Sequence, residues 1–145
     1  MPAIRVLRLD QDLPLPQAAK DGDAGVDLRA ASDAIVPPLG RVTIPTGIAI
    51  AIPEGFAGFV VPRSGLAKSH GITCLNAPGL IDSGYRGEIA CILHNADPDS
   101  AFGVKRGDRI AQLVIMAVES TTWVEVERLD ETERGDGGFG HTGKI

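Results

Sequence analysis

Glycine or proline stands at 28 of 145 positions, 18 and 10 respectively, and their spread leaves no room for a long helix. Glycine weakens a helix interior and proline breaks it. What lies between these breaks is short and β-branched: IRVLRL (4–9), VDLRA (26–30), RVTIPTGIAIAI (41–52), FAGFVV (56–61), GEIACIL (87–93), RIAQLVIMAV (109–118) and WVEVERL (123–129). Polar and apolar residues alternate in Arg41-Val42-Thr43-Ile44 and in Val124-Glu125-Val126-Glu127, the two-residue period of a strand with one wet face. Only SGLAKSHG (64–71) reads as helical, for barely two turns. Short strands separated by turn residues predict an all-β fold, a jelly-roll-like barrel or sandwich with one short helix. Six aromatic residues in the whole chain make the core aliphatic.

The length suits one domain, expected over 1–130, with a Gly-rich C-terminal tail over 131–145. The tail, ETERGDGGFGHTGKI, has little to pack and is expected to be flexible on its own. Phe139, with glycines on both sides, is out of keeping with a merely solvated tail. It suits a lid whose ring stacks on a ligand while glycine amides approach phosphates.

Several classes drop out. No apolar stretch approaches the ~18 residues of a membrane span. The opening MPAIRVLRLDQD has charges at Arg5, Arg8 and Asp10 and no apolar signal region. Cys74 and Cys91 form neither a C-x-x-C pair nor a disulfide framework, and a reduced, cytoplasmic setting is expected. The net charge of −5 speaks against a polynucleotide partner. His70, His94 and His141 lack zinc spacing, and no nucleophile elbow, P-loop or dinucleotide fingerprint is present.

Four further segments could carry chemistry, and each has a bland alternative. In VVPRSGLAKSHG, Ser64 and Gly65 open the short helix beside Arg63, which suits an anion; a capped surface helix is the alternative. In NAPGLIDSGYRGEI, Asp82 and Tyr85 fall near a hairpin tip. There a carboxylate could activate water beside a ring that packs on a sugar, or both could be local turn and packing groups. GDAGVDLRA sets Asp23 and Asp27 around a glycine, as a Mg²⁺ shell or as a solvated turn. Gln112 sits in an otherwise apolar strand and needs a polar partner, from a ligand or from the protein.

In this order, DAGVDL, PRSGLA, GLIDSGYRGE, RGDRIAQL and RGDGGFGHTG resemble the five motifs of the homotrimeric all-β deoxyuridine triphosphate nucleotidohydrolases, the dUTPases, over about residues 22–143. The resemblance implies a trimer with three shared sites and Mg²⁺-assisted hydrolysis of dUTP to dUMP and pyrophosphate. That activity limits uracil in DNA and supplies dUMP for thymidylate synthesis. It implies Asp82 as general base for the water attacking the α-phosphorus, and Tyr85 under the deoxyribose. Asn76, Leu80, Ile81 and Ala90 would read uracil. Arg63, Ser64, Gly65 and Gln112 would bind phosphates, and Asp27 would hold the Mg²⁺ shell through water. Arg134 would meet the γ-phosphate, Phe139 would stack on uracil, and Gly140 and Thr142 would line the phosphates. His141 departs from the Ser or Ala usual at its position and could add pH dependence near neutrality. Two alternatives share the fold: a regulatory nucleotide-binding role, and a dCTP deaminase. The deaminase family carries a catalytic Glu where this chain has Ile92.

Overall fold

The computed structural model describes residues 2–138. Ten strands and one helix follow one another along the chain. They are β1 (Arg5–Arg8), β2 (Gly25–Arg29), β3 (Ala34–Val36), β4 (Arg41–Ala51), β5 (Phe56–Val61), α1 (Ser64–His70), β6 (Ile72–Cys74), β7 (Gly79–Ile81), β8 (Glu88–Asn95), β9 (Phe102–Val104) and β10 (Arg109–Ala117). One four-stranded sheet has the order β1-β4-β8-β6 and the other β2-β10-β5-β7, with β3 and β9 forming a small third pair. Every pairing is antiparallel. The expected all-β sandwich with one short helix is what forms.

The core is aliphatic, as the scarcity of aromatics requires. Ile44, Ile48, Ile50, Ile89 and Leu93 from one sheet meet Leu28, Val60, Ile81, Ile110 and Leu113 from the other. Along β8 the two-residue period is plain: Ile89, Cys91, Leu93 and Asn95 point inward, while Glu88, Ala90, Ile92 and His94 face out. Asn95 is tolerated in the interior because its polar atoms are used. Its Nδ2 donates to the carbonyls of Ser100 at 2.8 Å and Val36 at 3.2 Å, and its Oδ1 accepts from the Asp97 N–H at 2.9 Å.

Four expectations need correction. The segment 123–129 alternates as a strand should, yet it forms none: every residue from Met116 to Asp136 is exposed, and Trp123 is 92% so. A strand needs a neighbour to take up its backbone groups, and among the described residues none is offered. Ser64 does not cap α1. Arg63 holds the cap position with extended backbone, Ser64 is the first helical residue, and Gly71 ends the helix at φ 65°. The hairpin expected around Asp82 and Tyr85 does not form: β7 pairs with β5 and β8 with β4 and β6, so the segment between them crosses from one sheet to the other. The strands β3, β6 and β9 were not anticipated.

Candidate active site

The phosphate-side residues come together through strand register. In the sheet β2-β10-β5, Gln112 stands opposite Asp27 on one side and opposite Val61 on the other. One row across three strands therefore carries Asp27 and Gln112, and it ends two residues before Arg63. The half-buried Arg63 turns back over this row. Its Nε donates to Asp27 Oδ1 at 3.0 Å and its Nη1 to the Arg109 carbonyl at 3.2 Å. Arg109 donates from Nη1 to the other oxygen, Asp27 Oδ2, at 3.2 Å. Asp27 thus aims two guanidinium groups at the same patch of surface. Ser64 and Gly65 are exposed beside it, at the helix start where backbone N–H groups lack intrahelical partners. The arrangement sets two guanidinium groups and free backbone donors side by side, a rim suited to several negatively charged oxygens.

The second part of the site is the loop between β7 and β8, which crosses from one sheet to the other. A pocket of about 230 Å³ opens there, lined by Asn76, Leu80, Ile81, Tyr85 and Ala90 among others. It is mainly apolar with a few polar groups at its edge, the character of a site for a flat ring. Two glycines make it possible. A Cβ on Gly87 would lie 2.4 Å from the Tyr85 hydroxyl, and one on Gly79 3.1 Å from Asn76 Nδ2. The Tyr85 hydroxyl donates to the Glu88 carbonyl at 3.0 Å, which holds the ring against the start of β8. Asp82 opens the turn that ends at Tyr85, its carbonyl accepting the Tyr85 N–H at 3.1 Å, and its carboxylate is exposed.

These two parts stand apart within one chain. Gly58 faces Ile81 in the β5–β7 pair, so Asp82 falls beside Ala57. Arg63 comes six residues later along the same course, about 20 Å at the ~3.3 Å rise of a strand. A single copy does not bring Asp82 to Arg63.

The turn between β9 and β10 is braced from outside. Arg106 grips Asp10 with Nη2 at 2.7 Å to both carboxylate oxygens and Nε at 3.1 Å, and its N–H donates to Asp33 at 2.8 Å. The Arg106 guanidinium holds the Asp10 carboxyl below the usual aspartate range. This clamp fixes the loop that leads into Arg109 and Gln112.

Of the expected site residues, Asp27, Arg63, Ser64, Gly65 and Gln112 cluster, while Asn76, Leu80, Ile81, Tyr85 and Ala90 line the pocket at the β7–β8 loop and Asp82 is exposed on that loop. Arg134 is exposed in the tail, its Nε donating to the Gly137 carbonyl at 3.1 Å, and touches neither group. Phe139, Gly140, His141 and Thr142 lie outside the described residues. Sequence reasoning missed Arg109 as the second partner of Asp27, and Thr43, Val60 and Glu88 as pocket walls. The arginine inside RGDRIAQL was an available signal; Thr43 comes from a distant strand and had none. Among the described residues no group of three or more His, Cys, Asp or Glu could hold a metal ion, and no helix is long and apolar enough to cross a membrane.

With this geometry in hand, comparisons with known proteins agree. The dUTPase family model matches residues 11–143. The deoxyuridine 5'-triphosphate nucleotidohydrolase of Thermobifida fusca is 56% identical over 140 residues, covering 97% of this chain and 78% of the relative. That of Corynebacterium glutamicum is 56% identical over 142 residues, covering 98% and 95%. Among solved structures, the dUTPase of Staphylococcus bacteriophage 80alpha with dUpNHpp superposes with a TM-score of 0.88 at 27% identity, covering 97% of this chain and 98% of that one.

Proposed function

The chain belongs to the dUTPase family, and on that premise we propose how its residues divide the work of hydrolysing dUTP to dUMP and pyrophosphate. The observation that carries the proposal is the in-register row of Asp27 and Gln112 that reaches β5 two residues before Arg63, with the β7–β8 pocket beside the opposite end of β5. The first is built for a triphosphate and the second for a nucleoside.

The uracil ring enters the β7–β8 pocket, read by Asn76 and by the backbone of Leu80, Ile81 and Ala90. The Tyr85 ring lies under the deoxyribose and leaves no room for a 2′-hydroxyl. Arg63, Ser64, Gly65 and Gln112 bind the phosphate oxygens. Asp82 takes a proton from a water as its oxygen bonds to the α-phosphorus. The bond from that phosphorus to the bridging oxygen of the β-phosphate breaks, and pyrophosphate leaves. The catalysis is mainly positioning and charge neutralisation. From the tail, Arg134 meets the γ-phosphate, Phe139 stacks on uracil, and Gly140 and Thr142 close over the phosphates as a lid that keeps out bulk water.

Mg²⁺ is the divalent ion this reading calls for. Both oxygens of Asp27 already accept from guanidinium groups, so the donor set fits an ion that keeps its own waters and takes its other ligands from the substrate. Bound there, it would neutralise part of the triphosphate charge.

The reading requires more than one copy. The separation of Asp82 from Arg63 supports a site assembled from different chains of a homotrimer. The exposed, alternating 123–129 segment, without a strand partner among the described residues, supports the same assembly. Ile92 argues against deamination, because an aliphatic side chain transfers no proton.

The test is pyrophosphate release from dUTP, dTTP, dCTP and UTP, with Mg²⁺ and with chelator, for the wild type and Asp82→Asn. Turnover of dUTP alone, lost in the variant and with chelator, is the expected result. Turnover of all four nucleotides would refute the base and sugar assignments. Binding of dUTP without turnover would favour a regulatory role.

A further inference from the structure

Glu88 opens β8, and two separate tethers meet on it. Its backbone carbonyl accepts the Tyr85 hydroxyl at 3.0 Å. Its side-chain Oε1 accepts the Gly47 N–H at 2.8 Å. The second contact lies where the β4–β8 ladder fails. Pro45 faces Ala90 and Ala49 faces Glu88, so β4 takes four steps where β8 takes two. A bulge of this kind leaves backbone groups without ladder partners. Two side-chain bonds take them up: Glu88 to the Gly47 N–H, and, next to it, the buried Thr46 hydroxyl donating to the Ile89 carbonyl at 2.6 Å.

The bulge is a rigid anchor. Gly47 sits at φ 72°, and a Cβ there would lie 2.7 Å from the Asp10 Cβ. Its carbonyl accepts the N–H groups of Leu9 at 2.8 Å and Asp10 at 3.0 Å. The Gly47 peptide is therefore held on its carbonyl side by the N-terminal segment and on its N–H side by Glu88.

We propose that Glu88 is a positioning residue for the substrate sugar: it ties the start of β8 to the β4 bulge and so sets the level at which the Tyr85 ring stands. The inference rests on the reading of Tyr85 as the floor of the deoxyribose site. Exclusion of a 2′-hydroxyl is a matter of fractions of an ångström, because a small retreat of the ring admits one more oxygen. The carboxylate bond to Gly47 is charge-assisted and directional, the kind that holds such a distance. Without it the opening of β8 is free to shift, and the ring's acceptor moves with it.

The experiment compares kcat/KM for dUTP and UTP in the wild type, Glu88→Ala, Glu88→Asp, Glu88→Gln and Tyr85→Phe, with thermal unfolding of each. The ratio of the two constants is read on whatever protein is folded, so loss of yield does not move it. The ratio is expected to fall about tenfold in Glu88→Ala, the order of one lost directional hydrogen bond. Glu88→Asp keeps the charge but is one methylene short, and falls likewise. Glu88→Gln still offers an oxygen to the Gly47 N–H and stays within about twofold of the wild type. In the Tyr85→Phe background, Glu88→Ala adds no further loss, because the tether to the ring is already cut. An unchanged ratio in Glu88→Ala and Glu88→Asp, whatever happens to their melting points, would overturn the inference and leave Glu88 a structural residue. A wild type that turns over UTP as well as dUTP would instead refute the Tyr85 reading itself, before any Glu88 variant is measured.

Discussion

Replacing Asp27 by Asn separates what that carboxylate does for stability from what it does for the phosphate rim. The side chain is 17% exposed, its partners Arg63 and Arg109 are 25% and 47% exposed, and the two contacts are 3.0 and 3.2 Å long. Ion pairs this open to water contribute about 0.2–1 kcal/mol each. An asparagine can keep its oxygen on Arg63 Nε, but its amide nitrogen then faces Arg109 Nη1, donor against donor. One contact is lost and the other loses its charge. The summed effect is about 1 kcal/mol, or roughly 2–4 °C in melting temperature for a chain of this size. The effect on kcat/KM is expected to be larger. Arg63 and Arg109 are aimed by this carboxylate, and a misaimed phosphate ligand removes about one to two powers of ten. The assays are thermal unfolding by circular dichroism and pyrophosphate release from dUTP across a Mg²⁺ titration. Because both oxygens of Asp27 are engaged by arginine, the Mg²⁺ half-saturation should move less than kcat/KM. Wild-type kcat/KM in the variant would refute the claim that Asp27 aims the rim. A Mg²⁺ half-saturation raised more than kcat/KM falls would mean that the carboxylate is a direct ligand.

Two further predictions concern pH and reactivity. Asp10 has a lowered pKa when folded, chiefly from its Arg106 bonds, so its contribution is fully present above the unfolded aspartate value of 3.8 and fades as pH falls through the lower folded value. Asp10→Asn should therefore lower the melting temperature near neutrality and flatten the acid limb of the curve; a parallel acid limb would show that the pair is not linked to folding. Burial pushes the Cys74 thiol up to about 11 and the Cys91 thiol up to about 12. Both should resist a thiol reagent at pH 8 until the protein unfolds, and stability should decline as pH rises above about 9, where the unfolded thiols ionise first. Rapid labelling of the folded protein at pH 8 would contradict the burial.

How much of this was legible in the sequence depended on length and on register. The β-branched runs that became β4, β8 and β10 were long enough to read as strands, and in β4 the alternation of Arg41-Val42-Thr43-Ile44 showed its period. β3, β6 and β9 have three residues each, too few for a period to show. The 123–129 segment had the pattern of a strand but no neighbour among the described residues to pair with, and a pattern reports a face, not a partner. At the site, Asp82 and Tyr85 lie three residues apart and could be read as one turn; that the turn joins two sheets rather than two paired strands could not. The convergence of Asp27, Arg63, Arg109 and Gln112 could not be read locally, because their segments meet only through pairing across a sheet. Motif order linked them, and strand register then supplied the reason. Glu88 was invisible as a tether because its partner, Gly47, lies on another strand inside a bulge that no spacing rule anticipates.

The central claim is that a working site takes Asp82 from one chain and Arg63 from another, and mixing tests it most directly. Asp82→Asn and Arg63→Ala variants, each inactive alone, would be unfolded together in equal amounts, refolded, and assayed for pyrophosphate release from dUTP. If the site is shared, random assembly pairs an intact Asp82 with an intact Arg63 in about a quarter of sites, and about a quarter of wild-type activity returns. If both residues serve within one chain, no mixed site is ever complete, and activity that stays at the background of the single variants would contradict the account.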